Sequence, residues 1–179
     1  MQDSDFIAKV TAFRPILDAS LISLPLKDHL RKELEVLVDR VKTLKKKEAA
    51  LRAADAITQA IKQVKEAQEK STKFVVARMQ AGTDVKLGRE ILAAMSNALP
   101  EGSFMVFSTD DDAKKTAAFC QVSQHHADTK QLDARQWVNE AMKPMNGKGG
   151  GKSALNANGQ AKIMDHIEEA MAIAESYVR

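Results

Sequence analysis

Five of the eight glycines in this chain of 179 residues fall between positions 147 and 159, with lysines threaded among them. The run reads Lys143-Pro144-Met145-Asn146-Gly147-Lys148-Gly149-Gly150-Gly151-Lys152-Ser153, and Asn158-Gly159 follows it. Three consecutive glycines lose much backbone entropy on ordering, so an ordered loop of this kind needs a reason. Anion binding is one. Glycine permits positive φ and lets backbone N–H groups converge on an anion, while flanking lysines supply charge. On that reading Gly149, Gly150 and Gly151 provide amides and close approach, and Lys148 and Lys152 provide charge. Lys143, Asn146, Gly147, Ser153, Asn158 and Gly159 complete the candidate binding set. The competing reading is a flexible linker, the ordinary behaviour of glycine-rich stretches.

The run is not a P-loop, which requires G-x-x-x-x-G-K-[ST] opening a helix just after a strand. Gly147 stands four residues before Gly151 where that motif requires five, and a helix precedes the run. Other groups offer less. His125-His126 are adjacent and do not face one metal, and they read as exposed loop histidines. Asp110-Asp111-Asp112 reads as a solvated hairpin tip rather than a cation site. Cys120, between Phe119 and Val122, reads as a small core residue. No Ser-His-Asp, Cys-His or paired-carboxylate arrangement is evident, so no catalysis, cofactor or metal is expected of this chain alone.

Charge is local rather than global. The formal net charge is +3, and residues 1–71 carry 14 Lys/Arg against 11 Asp/Glu, whereas residues 72–179 balance. Residues 143–162 hold Lys143, Lys148, Lys152 and Lys162 and no acid. A second run, Arg40, Lys42, Lys45, Lys46, Lys47 and Arg52, is opposed only by Glu48. Such clusters steer polyanions, although a lysine run on a helix is also simply a solvated face. Hydrophobic residues at 44% and charged residues at 28% describe a globular chain. Aromatics at 4% argue against a surface that stacks many bases. A single cysteine excludes internal disulfides and fits a reducing compartment. No apolar run reaches the roughly 20 residues that span a bilayer, and the acidic start, Met1-Gln2-Asp3-Ser4-Asp5, reads as neither signal nor transit peptide.

These residues need a scaffold, and the period of the apolar residues supplies its outline. Phe6, Val10, Phe13, Leu17, Leu21 and Leu24 form one helical stripe, with a kink or break expected at Pro15. Ser23 is a candidate N-cap. A second stripe runs through Leu26, Leu30, Leu34, Leu37, Val41 and Leu44 and resumes at Leu51, Ala54, Ile57, Ile61 and Val64. A helix over 26–70 would be about 67 Å long. It needs a partner, either the first segment folded back as a hairpin or a second subunit.

After Ser71 the pattern shortens. Strands are expected at Thr72–Met79, Ser103–Ser108 and Thr116–Val122. Helices are expected at Asp84–Leu99 with Thr83 as cap, at Asp133–Met142 with Trp137, Val138 and Met142 inward, and at 160–176, with a loop over 144–159. The fold class is therefore α+β: a long-helix hairpin over 1–71, then a small α/β subdomain over 72–179 carrying the glycine-rich loop.

The stretch Trp137–Gly159, WVNEAMKPMNGKGGGKSALNANG, resembles the C-terminal domain of alanyl-tRNA synthetase, where a helix leads into a G-K-G-G-G-[KR] run and a further Gly. Gly147, Lys148, Gly149, Gly150, Gly151, Lys152 and Gly159 match in order and spacing. FMVFSTDDDAKKTAAFCQVS looks like the paired strands before that helix, and the helical half looks like the preceding subdomain of eukaryotic members. The module also occurs in the DHH phosphoesterase superfamily, whose Asp-His-His signature is absent here. Bacterial members usually have small residues where this chain has Asn156 and Asn158, and those larger side chains alter how closely the loop approaches a ligand.

The resemblance implies a cytoplasmic, tRNA-binding appendix that contacts the elbow of alanine tRNA. In that role it helps the aminoacylation and editing sites of a parent ligase work on one bound tRNA. At this length the chain would be a fragment of such a ligase or a module derived from one. Three other roles stand beside this one: a homodimer or protein-docking module built on helix 26–70, a nucleotide-binding domain of DHH type, and a version repurposed for duplex DNA. No membrane partner is expected.

Overall fold

The computed structural model describes residues 3–111, 113–130, 132–151 and 153–178, with backbone only at 3–8 and 130. The chain divides into two compact units, Met1–Leu51 and Arg52–Arg179. The expected boundary near residue 71 follows the end of a helix, whereas the compact units part earlier, inside it.

In the first unit, α1 (Asp3–Ala19) is joined by Ser20–Ser23 to α2 (Leu24–Glu69). Pro15 lies inside α1, so the helix is not broken there. The turn is pinned by Asp18: Arg31 bonds its carboxylate at 2.6 Å and Lys27 Nζ donates to its backbone carbonyl at 2.7 Å. The carbonyl of Ser23 accepts from Leu26 and Lys27 as α2 begins. Val10 and Leu17 of the expected stripe are buried, but Phe13 and Leu21 are exposed, and the Phe6 side chain lies outside the described residues. Leu30, Leu34 and Val41 are half-buried, while Leu26, Leu37, Leu44 and Leu51 stand exposed.

The second unit is a mixed five-stranded sheet with helices on both faces. β1 (Phe74–Met79) runs parallel to β2 (Ser103–Asp110) through the crossover helix α3 (Val85–Ala98). β2 turns into antiparallel β3 (Lys115–Gln121). After α4 (Gln124–Lys130), α5 (Ala134–Met142) and a 3₁₀ turn at Lys143–Met145, the chain adds β4 (Lys148–Gly150) and β5 (Asn156–Ala161), then α6 (Ile167–Tyr177). The sheet order is β1-β2-β3-β5-β4, so β4 is an edge strand.

Alternation along the strands sends side chains to two cores. On one face Val75, Ala77, Phe104, Val106 and Phe119 pack with Ile91, Leu92 and Met95 of α3 and with Ala56, Ala60, Val64 and Ala67 of α2. The buried seam of α2 here is made of small residues, not of the expected Leu51, Ala54, Ile57, Ile61 and Val64 stripe, of which only Val64 is buried. On the other face Met105, Phe107 and Cys120 pack with Trp137, Val138 and Met142 of α5 and Ala170 and Ala174 of α6. Trp137 is fully buried and its Nε1 donates to the Ala174 carbonyl at 2.8 Å.

Four local expectations are corrected. The loop over 144–159 contains a strand pair, β4 and β5, and α6 starts at Ile167 because 156–161 pair with β3. The cap of α3 is Asp84, whose carboxylate accepts from the Lys86 amide at 2.8 Å, not Thr83. His126 is not an exposed loop residue: it sits in α4, buried, stacked on Phe74 with centroids 4.3 Å apart and Nδ1 2.8 Å from Ser103 Oγ. The short stretch Gln124–Lys130 has too few apolar residues to announce a helix. At the β2–β3 tip, Asp112 lies outside the described residues.

Candidate nucleic-acid interface

The glycine run forms strand β4, the turn after it, and part of β5. Its glycines are needed chiefly for close packing. A Cβ on Gly149 would lie 2.4 Å from Val138 Cγ1, and one on Gly159 would lie 2.8 Å from the same atom. One on Gly147 would meet Met142 at 2.6 Å. These three glycines let α5 settle directly onto the β4–β5 pair. Gly151 is tight for another reason, since its Cβ would lie 2.2 Å from the Asn156 carbonyl oxygen. None of the run's glycines has positive φ. The left-handed residue is Asn146 at 49°, which turns the chain from the 3₁₀ turn into β4. Beyond the β4–β5 ladder, further amides of the run are engaged internally: Gly147 N donates to the Met142 carbonyl at 3.0 Å and Gly149 N to Asn139 Oδ1 at 2.9 Å.

Gly150 differs. No heavy atom would lie within 4 Å of a Cβ there. Its outward face belongs to a row set by strand alternation. Gly149 and Gly159 face α5, so Lys148 and Gly150 on β4, and Asn156, Asn158 and Gln160 on β5, face the opposite side. Register brings Lys148 beside Gln160 and Gly150 beside Asn158. Next to this row stands α3, seated on β3 because Gly88 leaves room for the Phe119 ring, 2.5 Å from where its Cβ would be.

Between α3 and the row lies a groove of about 600 Å³, lined by Arg89, Gly150, Gly151, Ser153, Asn156 and Asn158 among others, with no carboxylate among the described lining residues. Of the candidate set it gathers Gly150, Gly151, Ser153 and Asn158. Lys148 projects from the same face of β4 and is exposed, with no ion pair among the described residues. Ser153 Oγ accepts from the Asn156 amide at 3.2 Å. Lys143, Asn146 and Gly147 sit at the other end of β4. There Lys143 pairs with Glu140 at 2.5 Å. Lys152 lies outside the described residues.

Sequence reasoning missed Arg89. Its signal was Gly88, an isolated glycine within a helical pattern, which marks a close approach. That approach brings Arg89, the next residue, to the groove's lining. Cys120 reaches the groove wall but is fully buried, and burial pushes its thiol well above the usual range, so it is no nucleophile. Among the described residues no three His, Cys, Asp or Glu side chains gather as a metal site.

The fold and the groove can be set against known proteins. The family model described as "DHHA1 domain" matches residues 71–179. The chain belongs to this family. Over 155 residues this DHHA1 protein is 32% identical to the cytoplasmic alanine–tRNA ligase of Bombyx mori and 30% identical to that of Drosophila melanogaster. Each match covers 86% of this chain and 15% of the ligase, so the chain spans a small part of these relatives' length. Among solved structures, the C-Ala domain of Aquifex aeolicus alanyl-tRNA synthetase aligns with a TM-score of 0.48 at 20% identity, over 59% of this chain and 87% of that one.

Proposed function

We propose that this DHHA1 protein is a cytoplasmic tRNA-binding domain of the alanine–tRNA ligase type. It holds the elbow of alanine tRNA so that the aminoacylation and editing sites of a parent ligase can act on one bound molecule. The observation that carries the reading is the outward row on the sheet edge, where exposed Lys148 stands beside a groove that no carboxylate among the described residues lines. Identity to two alanine–tRNA ligases over most of the chain supports the choice of RNA. Lys148, and Lys152 from the same run, act on phosphates, which give affinity and position rather than sequence choice. The chain itself performs no chemistry in this role.

The test is a salt series with a labelled alanine tRNA. Lys148→Ala should weaken binding several-fold and reduce the slope of log K against log salt by about one contact. An unchanged affinity and slope would remove Lys148 from the interface.

A second reading rests on the exposed leucines of α2. Leu44 and Leu51 are 56% and 67% exposed. Leu30, Leu37, Leu44 and Leu51 recur every seven residues, the spacing of a helix seam that a second copy would cover. A mass in analytical ultracentrifugation that stays monomeric as concentration rises would exclude it.

A further inference from the structure

We propose that the groove between α3 and the β4–β5 pair takes a single unpaired nucleotide of a bound RNA. Arg89 would hold its phosphate and the Asn156 and Asn158 amides would read the base edge. The inference rests on the tRNA-binding reading and specifies where on the domain, and through which side chains, recognition occurs.

Three observations carry it. First, three polar side chains of the groove are uncommitted. Among the described residues, Arg89 has no ion pair or hydrogen bond, and the side-chain amides of Asn156 and Asn158 have no hydrogen-bond partner. Each amide offers donors and an acceptor, the complement of a base edge, and a guanidinium matches a phosphate bidentately. Second, the charge is one-sided, since no carboxylate among the described residues lines the groove. Third, the floor is open at Gly150. Gly150 leaves space where every other glycine of the run packs against its surroundings, and Asn158 lies directly across the ladder from it. The volume of about 600 Å³ is in the range of small-molecule sites. Duplex regions present stacked bases and cannot enter such a cleft, whereas an unstacked base can be read on its edges.

The experiment measures fluorescence anisotropy of a labelled alanine tRNA with the whole chain, alongside thermal unfolding of each variant. Gly150→Leu fills the open floor, and the ordinary φ of Gly150 lets a side chain stand there. Arg89→Ala removes an exposed group and does not threaten folding. The expected result is about tenfold weaker binding for each variant with unchanged Tm, with Arg89→Ala also lowering the salt slope by about one. Wild-type affinity in both variants, together with weakened binding by Lys148→Ala, would overturn the groove while leaving the RNA reading in place. Absence of tRNA binding by the wild-type chain would overturn both.

Discussion

Gly149 and Gly150 are neighbours with opposite requirements. Gly149 is a contact residue of the core, its α-carbon side facing Val138, whereas Gly150 faces open space. Gly149→Ala should therefore cost about 1–3 kcal/mol as an overpacked site, and Gly150→Ala should stay within about 0.5 kcal/mol of wild type. Chemical denaturation of the two variants decides this, and equal effects would mean that the run is not ordered against α5. The sequence announced that these glycines were special but not why. Entropy arguments pointed to positive φ and a ligand, whereas packing against Val138 and Met142 accounts for Gly147, Gly149 and Gly159. A missing Cβ looks the same in a sequence whether a ligand or a helix fills the space.

Among the elements, those with a strong period were legible. The stripe of α5 with Trp137, Val138 and Met142, the β-branched β1 and the β2–β3 hairpin all lie where their residues placed them. β4 and β5 were not legible, because Lys148–Gly150 and Asn156–Ala161 contain no β-branched or aromatic residue and gain their strand state from pairing, β5 with β3 and β4 with β5. The start of α5 depends on one side chain. Asp133 accepts from the Arg135 amide at 2.8 Å and pairs with the Arg135 guanidinium at 2.5 Å. The Arg135 hydrogen bond, with the first-turn amides adding to it, holds this carboxyl below the usual aspartate range. Asp133→Ala should lower stability by about 1 kcal/mol through loss of the cap. Because the folded-state pKa is depressed, the charge contribution is present above about pH 4, the unfolded value, and is lost as pH falls through the folded value. Asp133→Asn should therefore flatten the acid limb of a stability-against-pH curve, and an unaltered limb would show that Asp133 does not contribute to it.

At the scale of the whole molecule, the end of a helix is not the end of a folding unit. Residues 52–69 of α2 share a core with the sheet through Ala56, Ala60, Val64 and Ala67. A chain of residues 52–179 should unfold cooperatively, and one of residues 72–179 should melt at a markedly lower temperature or without a transition. Equal melting of the two would show that this seam is dispensable. The small residues of the seam hid it in the sequence, where the larger leucines drew the stripe elsewhere. The role of the molecule turns on one comparison: equilibrium binding of alanine tRNA, the same tRNA with its elbow disrupted, and a DNA duplex of similar length, across a salt series. The expected result is tight binding to the intact tRNA that is lost with the elbow and is weaker on DNA. Equal or tighter binding to the duplex, or no binding to any of the three at low salt, would contradict a tRNA-elbow domain.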